Sequence, residues 1–369
     1  MNAYFKPREG LDALKSDLNE RPCKIAFLGN SVTAQKEGYA HQLARQIDDY
    51  FPPTHEFIFA GIGGIGSLAS CFLIEDFVLR HQPDFCFVEC TVADIGYATP
   101  PQYLKPALEG IIQKLISLST KICFLHLYSN HSSPERADEV ISVYEEVIDY
   151  YKIPSINVRE KINSGILDKA SQVTDILYDG VHTTNQGALI YSDLILKALI
   201  SILNIGTDNF SQPNTRLDSS FRYTQIVLPE TLLNDTSEHL VKARFRGLIK
   251  YIQMDNAYTF ETSLEDGMIL GFFIIADDTS GVVHVCFGDN SFHVQTYDQW
   301  CHKERIQAVI LEKQVPKNQK LRISLTTLDS ASSGANGTSN NYKKIGSSFK
   351  FMGLMVSYSS EPKLKARLW

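Results

Sequence analysis

Paired cysteines are missing from this sequence. Its seven cysteines, Cys23, Cys71, Cys86, Cys90, Cys123, Cys286 and Cys301, are scattered and include no Cys-x-x-Cys. That argues against a zinc site and against a disulfide framework. Several sit among apolar neighbours, as in Phe85-Cys86-Phe87 and Ile122-Cys123-Phe124, and read as buried free thiols in a reducing compartment. Basic runs are missing too. The formal net charge is -7, and no cluster of Lys and Arg offers a phosphate-neutralising surface, so nucleic acid is not an expected partner. Met1 to Pro22 carries Lys6, Arg8, Glu9, Asp12, Lys15, Asp17 and Glu20 and lacks the apolar centre of a signal peptide. No uninterrupted apolar run reaches the roughly 18 residues of a membrane span. The expectation is a cytoplasmic protein without a membrane span.

Apolar material is present in ordinary amount. Hydrophobic residues make up 44% and charged residues 21% of 369 residues, enough for two globular cores. From residue 24 to about 204, short apolar runs alternate with longer stretches of helical period. Lys24 to Leu28, Phe57 to Ala60, Phe85 to Cys90 and Lys121 to Leu127 read as strands buried on both faces. Tyr39 to Tyr50, Lys105 to Leu118 (with Pro106 in its first turn), Val140 to Tyr151 and Gly187 to Leu203 read as helices. This alternation predicts an α/β fold with a parallel sheet between helical layers.

The character changes near residue 205. Thr207 to Arg216 is polar and reads as a linker. Beyond it come β-rich runs: Phe221 to Leu228, Ala243 to Gln253, Met268 to Ile275, Gly281 to Phe287, Ile306 to Leu311, Leu321 to Thr326 and Phe349 to Tyr358. Turn signals such as Asp277-Asp278 and Gly288-Asp289-Asn290 separate them, and Ser330 to Asn341 reads as a loop. A β-sandwich or jelly roll is expected. The predicted organisation is a helical extension over 1–20, an α/β domain over 21–204, a linker over 205–215 and a β-sandwich over 216–369.

Chemistry is concentrated at two places in the α/β half. The first predicted strand runs into Gly29-Asn30-Ser31-Val32-Thr33, at the carboxyl end where open parallel sheets bind ligands. Ser31 by itself reads first as a helix cap. The second place is Tyr178-Asp179-Gly180-Val181-His182, just ahead of a predicted helix. An Asp three residues before a His allows the carboxylate to hold the imidazole Nδ1–H while the other nitrogen faces a nucleophile as general base.

Gly29-Asn30-Ser31 resembles the Gly-Asp-Ser motif of the SGNH (GDSL-type) hydrolase superfamily, and Asp179-x-x-His182 resembles its closing Asp-x-x-His block. Phe59-Ala60-Gly61-Ile62-Gly63-Gly64-Ile65-Gly66-Ser67 is similar to the second block, and Val88 to Asp94 to the third. The resemblance implies a flavodoxin-like three-layer sheet and a Ser31–His182–Asp179 triad with no metal or cofactor. The N–H groups of Ser31 and Gly64 become the oxyanion donors, with Asn30 and Asp94 beside the site. Two departures stand out. Asn30 replaces the usual Asp, and Ala93 stands where the family carries an Asn donor, a loss of about 2.7–4 kcal/mol of transition-state stabilisation. The Thr91 hydroxyl is the candidate replacement.

Gly61-x-Gly63-x-x-Gly66, with Glu89 beyond, also fits the dinucleotide fingerprint, although it follows the second strand and not the first. His126 and His131 are candidate crevice residues. Trp300 and the tyrosines of the second half are candidate sugar platforms or core residues. Together the resemblance and the appended β domain imply a serine esterase acting on O-acetyl esters of a carbohydrate. The alternatives are an O-acyltransferase with the same triad and a glycan-binding protein that is catalytically weak.

Overall fold

The computed structural model describes residues 4–9, 11, 13–96, 98–166, 173–205, 217–218, 220–228, 241–245, 249–254, 259–297, 301, 303–325 and 348–362. They fall into two compact units, Met1–Arg222 and Tyr223–Trp369. The predicted linker, apart from Ile205, lies outside the described residues, as do Trp300 and the Ser330 to Asn341 loop.

The first unit is built in the order β1 (Phe5–Lys6), α1 (Leu14–Glu20), β2 (Lys24–Gly29), α2 (Tyr39–Tyr50), β3 (Glu56–Gly61), α3 (Ser67–Phe77), β4 (Phe85–Glu89), α4 (Thr91–Ile95), α5 (Pro101–Ser117), β5 (Lys121–His126), α6 (Pro134–Tyr150), β6 (Ser155–Asn157), α7 (Val158–Ile166), α8 (Val173–Ile176) and α9 (Asn185–Ile205). The sheet order is β1-β6-β5-β4-β2-β3. All pairings from β3 to β6 are parallel, and β1 joins β6 antiparallel. Without β1 this is the flavodoxin-like order, whose direction of winding reverses between β2 and β4. The extension predicted as helical therefore also supplies an edge strand. Its Arg8 side chain bonds the Ile153 carbonyl and the Ser155 hydroxyl at 3.0 and 2.9 Å, partners far along the chain that a local pattern does not reveal.

Strand residues alternate between two buried faces. Ile25, Phe27, Phe85, Phe87, Cys123, Leu125 and Ile156 form one core with α1, α2 and α9. Ala26, Leu28, Cys86, Val88 and Phe124 are equally buried on the opposite face, where Phe124 meets Tyr144 of α6 edge-on. α5 begins at Pro101, so Pro106 lies within the helix and not in its first turn. The lost N–H leaves the carbonyl of Gln102, an exposed residue, without its helical partner. By length and composition α9 is apolar enough to cross a membrane. In this fold its Tyr191, Ile195, Ala198, Leu199 and Ile202 are buried in the domain core, and the Tyr191 hydroxyl donates to the Tyr128 carbonyl at 2.8 Å.

The second unit comprises β7 (Tyr223–Val227), β8 (Val241–Phe245), β9 (Ile249–Met254), β10 (Thr259–Thr262), β11 (Met268–Ala276), β12 (Val282–Phe287), β13 (Asn290–Gln295), β14 (Arg305–Val315), β15 (Leu321–Leu325) and β16 (Phe349–Tyr358). Two antiparallel sheets result, β10-β15-β12-β13 and β14-β11-β16-β9-β8, with β7 on β16. Phe260, Val283, Val285 and Ile323 from one sheet and Phe272, Ile274, Phe349, Phe351 and Leu354 from the other share one core. The run Ala243 to Gln253 divides into β8 and β9. The expected boundary at 216 moves to 222, because the Leu217 N–H donates to Glu109 of α5 at 3.0 Å and Phe221 packs on Phe72 and Tyr103.

Candidate active site

β2 ends at the point where the sheet reverses its winding, and the chain must leave it in a tight turn. Gly29 is required there, since a Cβ would collide with Thr33 Oγ1 and the Glu89 carbonyl. Asn30 then shapes the turn. Its Oδ1 accepts from Val32 N at 2.9 Å and its Nδ2 donates to Glu89 Oε2 at 2.8 Å. Glu89, the last residue of β4, also accepts from Val92 N at 3.1 Å. The Glu89 carboxyl is fully buried, and burial pushes it up to about 8, against the lowering effect of the Val92 N–H. Asn30 is thus an underpinning of the turn, while Ser31 stands half-buried above it.

The loop after β3 lies against this turn. Ile62 N donates to the Gly29 carbonyl at 2.9 Å, and a Cβ on Gly63 would stand 3.8 Å from Ser31 Cβ. Gly64 is exposed with φ 78°, a left-handed conformation that favours glycine. Among the described residues, the N–H groups of Ser31 and Gly64 donate to no protein acceptor. Gly61 and Gly66 are explained by packing. A Cβ at Gly61 would strike Ala34 N, and one at Gly66 would fall on Asp94 Oδ1. The glycine spacing therefore serves close backbone approach.

Asp94 is completely buried at the start of α3, where both carboxylate oxygens accept from Ser67 N at 3.1 and 3.2 Å and Tyr144 Oη donates to Oδ2 at 2.5 Å. It is a helix anchor behind the second block. Thr91 is fully buried, and its hydroxyl is 3.3 Å from the Leu125 carbonyl and 3.0 Å from His126 Nδ1. The expectation that Thr91 replaces the missing oxyanion donor is corrected, because its one proton is committed on the β5 side. His126 is equally buried, its Nε2 2.9 Å from Glu145 Oε1, so it does not line a crevice. Burial pushes Glu145 up, but His126, Lys6 and Arg8 together hold it well below the usual carboxylate range.

The segment from Leu177 to Thr184 is a closed loop. Leu177 and Thr183 form an antiparallel bridge, and Tyr178 N donates to the His182 carbonyl at 3.1 Å. Asp179 Oδ1 accepts from Val181 N at 3.0 Å and His182 N at 2.7 Å, while Oδ2 lies 2.7 Å from His182 Nδ1. Against the upward push of burial, these contacts keep the Asp179 carboxyl below its ordinary value. The exposed Tyr178 ring stacks on the His182 imidazole at 5.8 Å between centroids. The loop leans on Asn130, whose N–H donates to the Gly180 carbonyl at 2.9 Å. His131 follows; desolvation, the largest influence, and the nearby His182 hold its imidazole below the ordinary value, and Asp179 opposes them.

Two distant segments meet here. Gln35 Nε2 donates to the Thr183 carbonyl at 3.1 Å, and Gln35 Oε1 accepts from Thr183 N at 3.1 Å and Thr183 Oγ1 at 3.2 Å. The turn of Ser31 and the loop of His182 are thereby tied together. Gln35 was not legible as a site residue in the sequence. Among the described residues no three His, Cys, Asp or Glu side chains form a metal-holding group.

Comparison with known proteins agrees with this architecture. No curated protein matches the chain by sequence. A two-domain esterase (CEX) active on acetylated mannans, crystallised with mannopentaose, is similar in structure at a TM-score of 0.71 and 15% identity, over 96% of this chain and 97% of the other. A second structure of a two-domain esterase (CEX) active on acetylated mannans gives 0.69 and 15%, over 96% and 98%. At these identities the likeness concerns the fold. Residues 27–190, the segment that carries the Ser31 turn and the Asp179–His182 loop, match the model of the GDSL-like lipase/acylhydrolase family.

Proposed function

We propose that the chain is a serine esterase that removes O-acetyl groups from a carbohydrate, with Ser31, His182 and Asp179 as its triad. The observation that carries this is the Asp179–His182 pair, Oδ2 to Nδ1 at 2.7 Å, joined to the Ser31 turn through Gln35 and Thr183. Asp179 fixes the tautomer with the proton on Nδ1, which leaves Nε2 to take the Ser31 proton. Ser31 Oγ attacks the acetyl carbon, and the Ser31 and Gly64 N–H groups hold the oxyanion. Collapse breaks the bond to the sugar oxygen, which leaves with the proton from His182. Water then attacks acetyl-Ser31 with His182 as base, releasing acetate and restoring the hydroxyl. An appended β domain and the fold shared with a mannan-active acetyl esterase support the carbohydrate assignment.

A fluorophosphonate probe together with acetate release from acetylated mannan tests this reading. Wild type labels and releases acetate, whereas Ser31→Ala does neither. Asp179→Asn retains the fold but loses about 10⁴-fold in kcat, the effect of holding the wrong tautomer. Absence of labelling in wild type argues for the glycan-binding alternative, which the buried Thr91 and the small Ala93 motivate. Labelling without acetate release from any glycan removes the carbohydrate assignment alone.

A further inference from the structure

We propose that Gln35 is a positioning residue of this site, its carboxamide holding the loop that carries His182 against the turn that carries Ser31; the proposal rests on the triad reading above. The two segments are 148 residues apart at their point of contact, so nothing local in the chain sets their spacing. Internal bonds give the Asp179–His182 loop its shape, and Asn130 supports it from the β5 side. Neither interaction reaches Ser31. Among the described residues, every hydrogen bond between residues 30–35 and residues 177–184 is made by the Gln35 side chain. A carboxamide suits this task. It carries one donor face and one acceptor face, so it pairs with the C=O and N–H of Thr183 as a neighbouring strand does, and its oxygen takes the Thr183 hydroxyl as well. Thr183 is buried and directly follows His182. A shift of Thr183 therefore displaces the imidazole relative to the nucleophile.

Two substitutions separate positioning from bulk stability. Gln35→Met preserves volume and removes all three hydrogen bonds. Gln35→Glu preserves length and the acceptor face, but sets a carboxylate oxygen against the Thr183 carbonyl. A misplacement of 1 Å costs reaction rate by about a hundredfold. Phosphonylation of Ser31 by a fluorophosphonate and kcat for a small aryl acetate are thus expected to fall by about that factor in both variants. KM stays within about threefold, since substrate binding is not what is lost. The labelled end-point remains one Ser31 per chain. Either variant alone suffices if the other does not fold. Wild-type labelling rate and kcat in the variants overturn the proposal, and so does a fall in labelled end-point at unchanged rate, which is a purely structural loss. If wild type does not label, or Ser31→Ala labels equally well, the triad reading fails first and this proposal with it.

Discussion

Asn30 and Glu89 are polar residues in places where burial makes each hydrogen bond count. A buried amide left without partners costs about 1–3 kcal/mol, and Asn30 has both ends engaged, to Val32 N and Glu89. The turn that presents Ser31 is therefore held from beneath. The side chain at 93 supplies no comparable help. Ala93 is half-buried between the buried Thr91 and Asp94 and carries no donor. One oxyanion donor contributes about 10²–10³ in kcat. Ala93→Asn is expected to raise kcat for a small acetyl ester by at least about tenfold with KM little changed, read by steady-state kinetics. Unchanged or lower turnover shows that the two backbone donors already complete the hole.

At the scale of elements, the turns after β2 and β3 are set by glycines that admit a neighbour. Asp94 occupies the volume where a Gly66 side chain would be, and the same carboxylate caps α3 through Ser67 N. Gly66→Ala forces one of them to move. The expected loss is about 1–3 kcal/mol, the usual cost of overpacking, measured by urea unfolding, with no recovery on adding a dinucleotide. Stabilisation of wild type by a dinucleotide would revive the fingerprint reading. Strands β2, β4 and β5 were legible because parallel strands buried on both faces are continuous apolar runs. β3 is an apolar run too, but as the edge strand it leaves Phe59 exposed and is not buried on both faces as expected. β6 was not, since Ser155–Asn157 is too short to carry a period. β10 and β13 escaped for a related reason: β10 buries only Phe260 and β13 buries no residue fully, so neither is a continuous apolar run.

At the scale of the molecule, buried carboxyls give stability a pH dependence. Below its ordinary value of 4.5 the Glu89 carboxyl is neutral whether the chain is folded or not. As pH rises toward about 8, the unfolded chain ionises it while burial keeps the folded form protonated. Folding stability therefore falls across that window and levels off above it. Asp94, also raised by burial, acts in the same direction. Asp179, Asp84 and Asp277, held below 3.8, contribute stability that is lost only at the acid end. Lowered histidines such as His41 and His55 act in the opposite direction near pH 6.5, so the difference between variants is decisive. From pH 5 to pH 8.5 the thermal midpoint of wild type should fall relative to that of Glu89→Gln, whatever the absolute offset of that variant. An equal slope in both excludes Glu89 as a source.

Whatever depends on near neighbours in the chain was determined by the sequence itself. The Asp179–His182 pair is a contact across three residues, and its chemistry follows from residue type and offset. The alternation of apolar runs and amphipathic stretches was likewise enough for a parallel α/β sheet and a β-rich second half, while the flavodoxin-like arrangement was implied by the resemblance to SGNH hydrolases. Tertiary structure alone decided the contacts between distant segments. It turned the Thr91 hydroxyl toward His126, brought Glu89 under Asn30, and set Gln35 on Thr183. Those contacts depend on where β2, β4, β5 and the loop before α9 come together. Only packing of the whole sheet sets that, because side chains 35, 59 and 148 residues apart carry no mark in sequence of which neighbour they will meet.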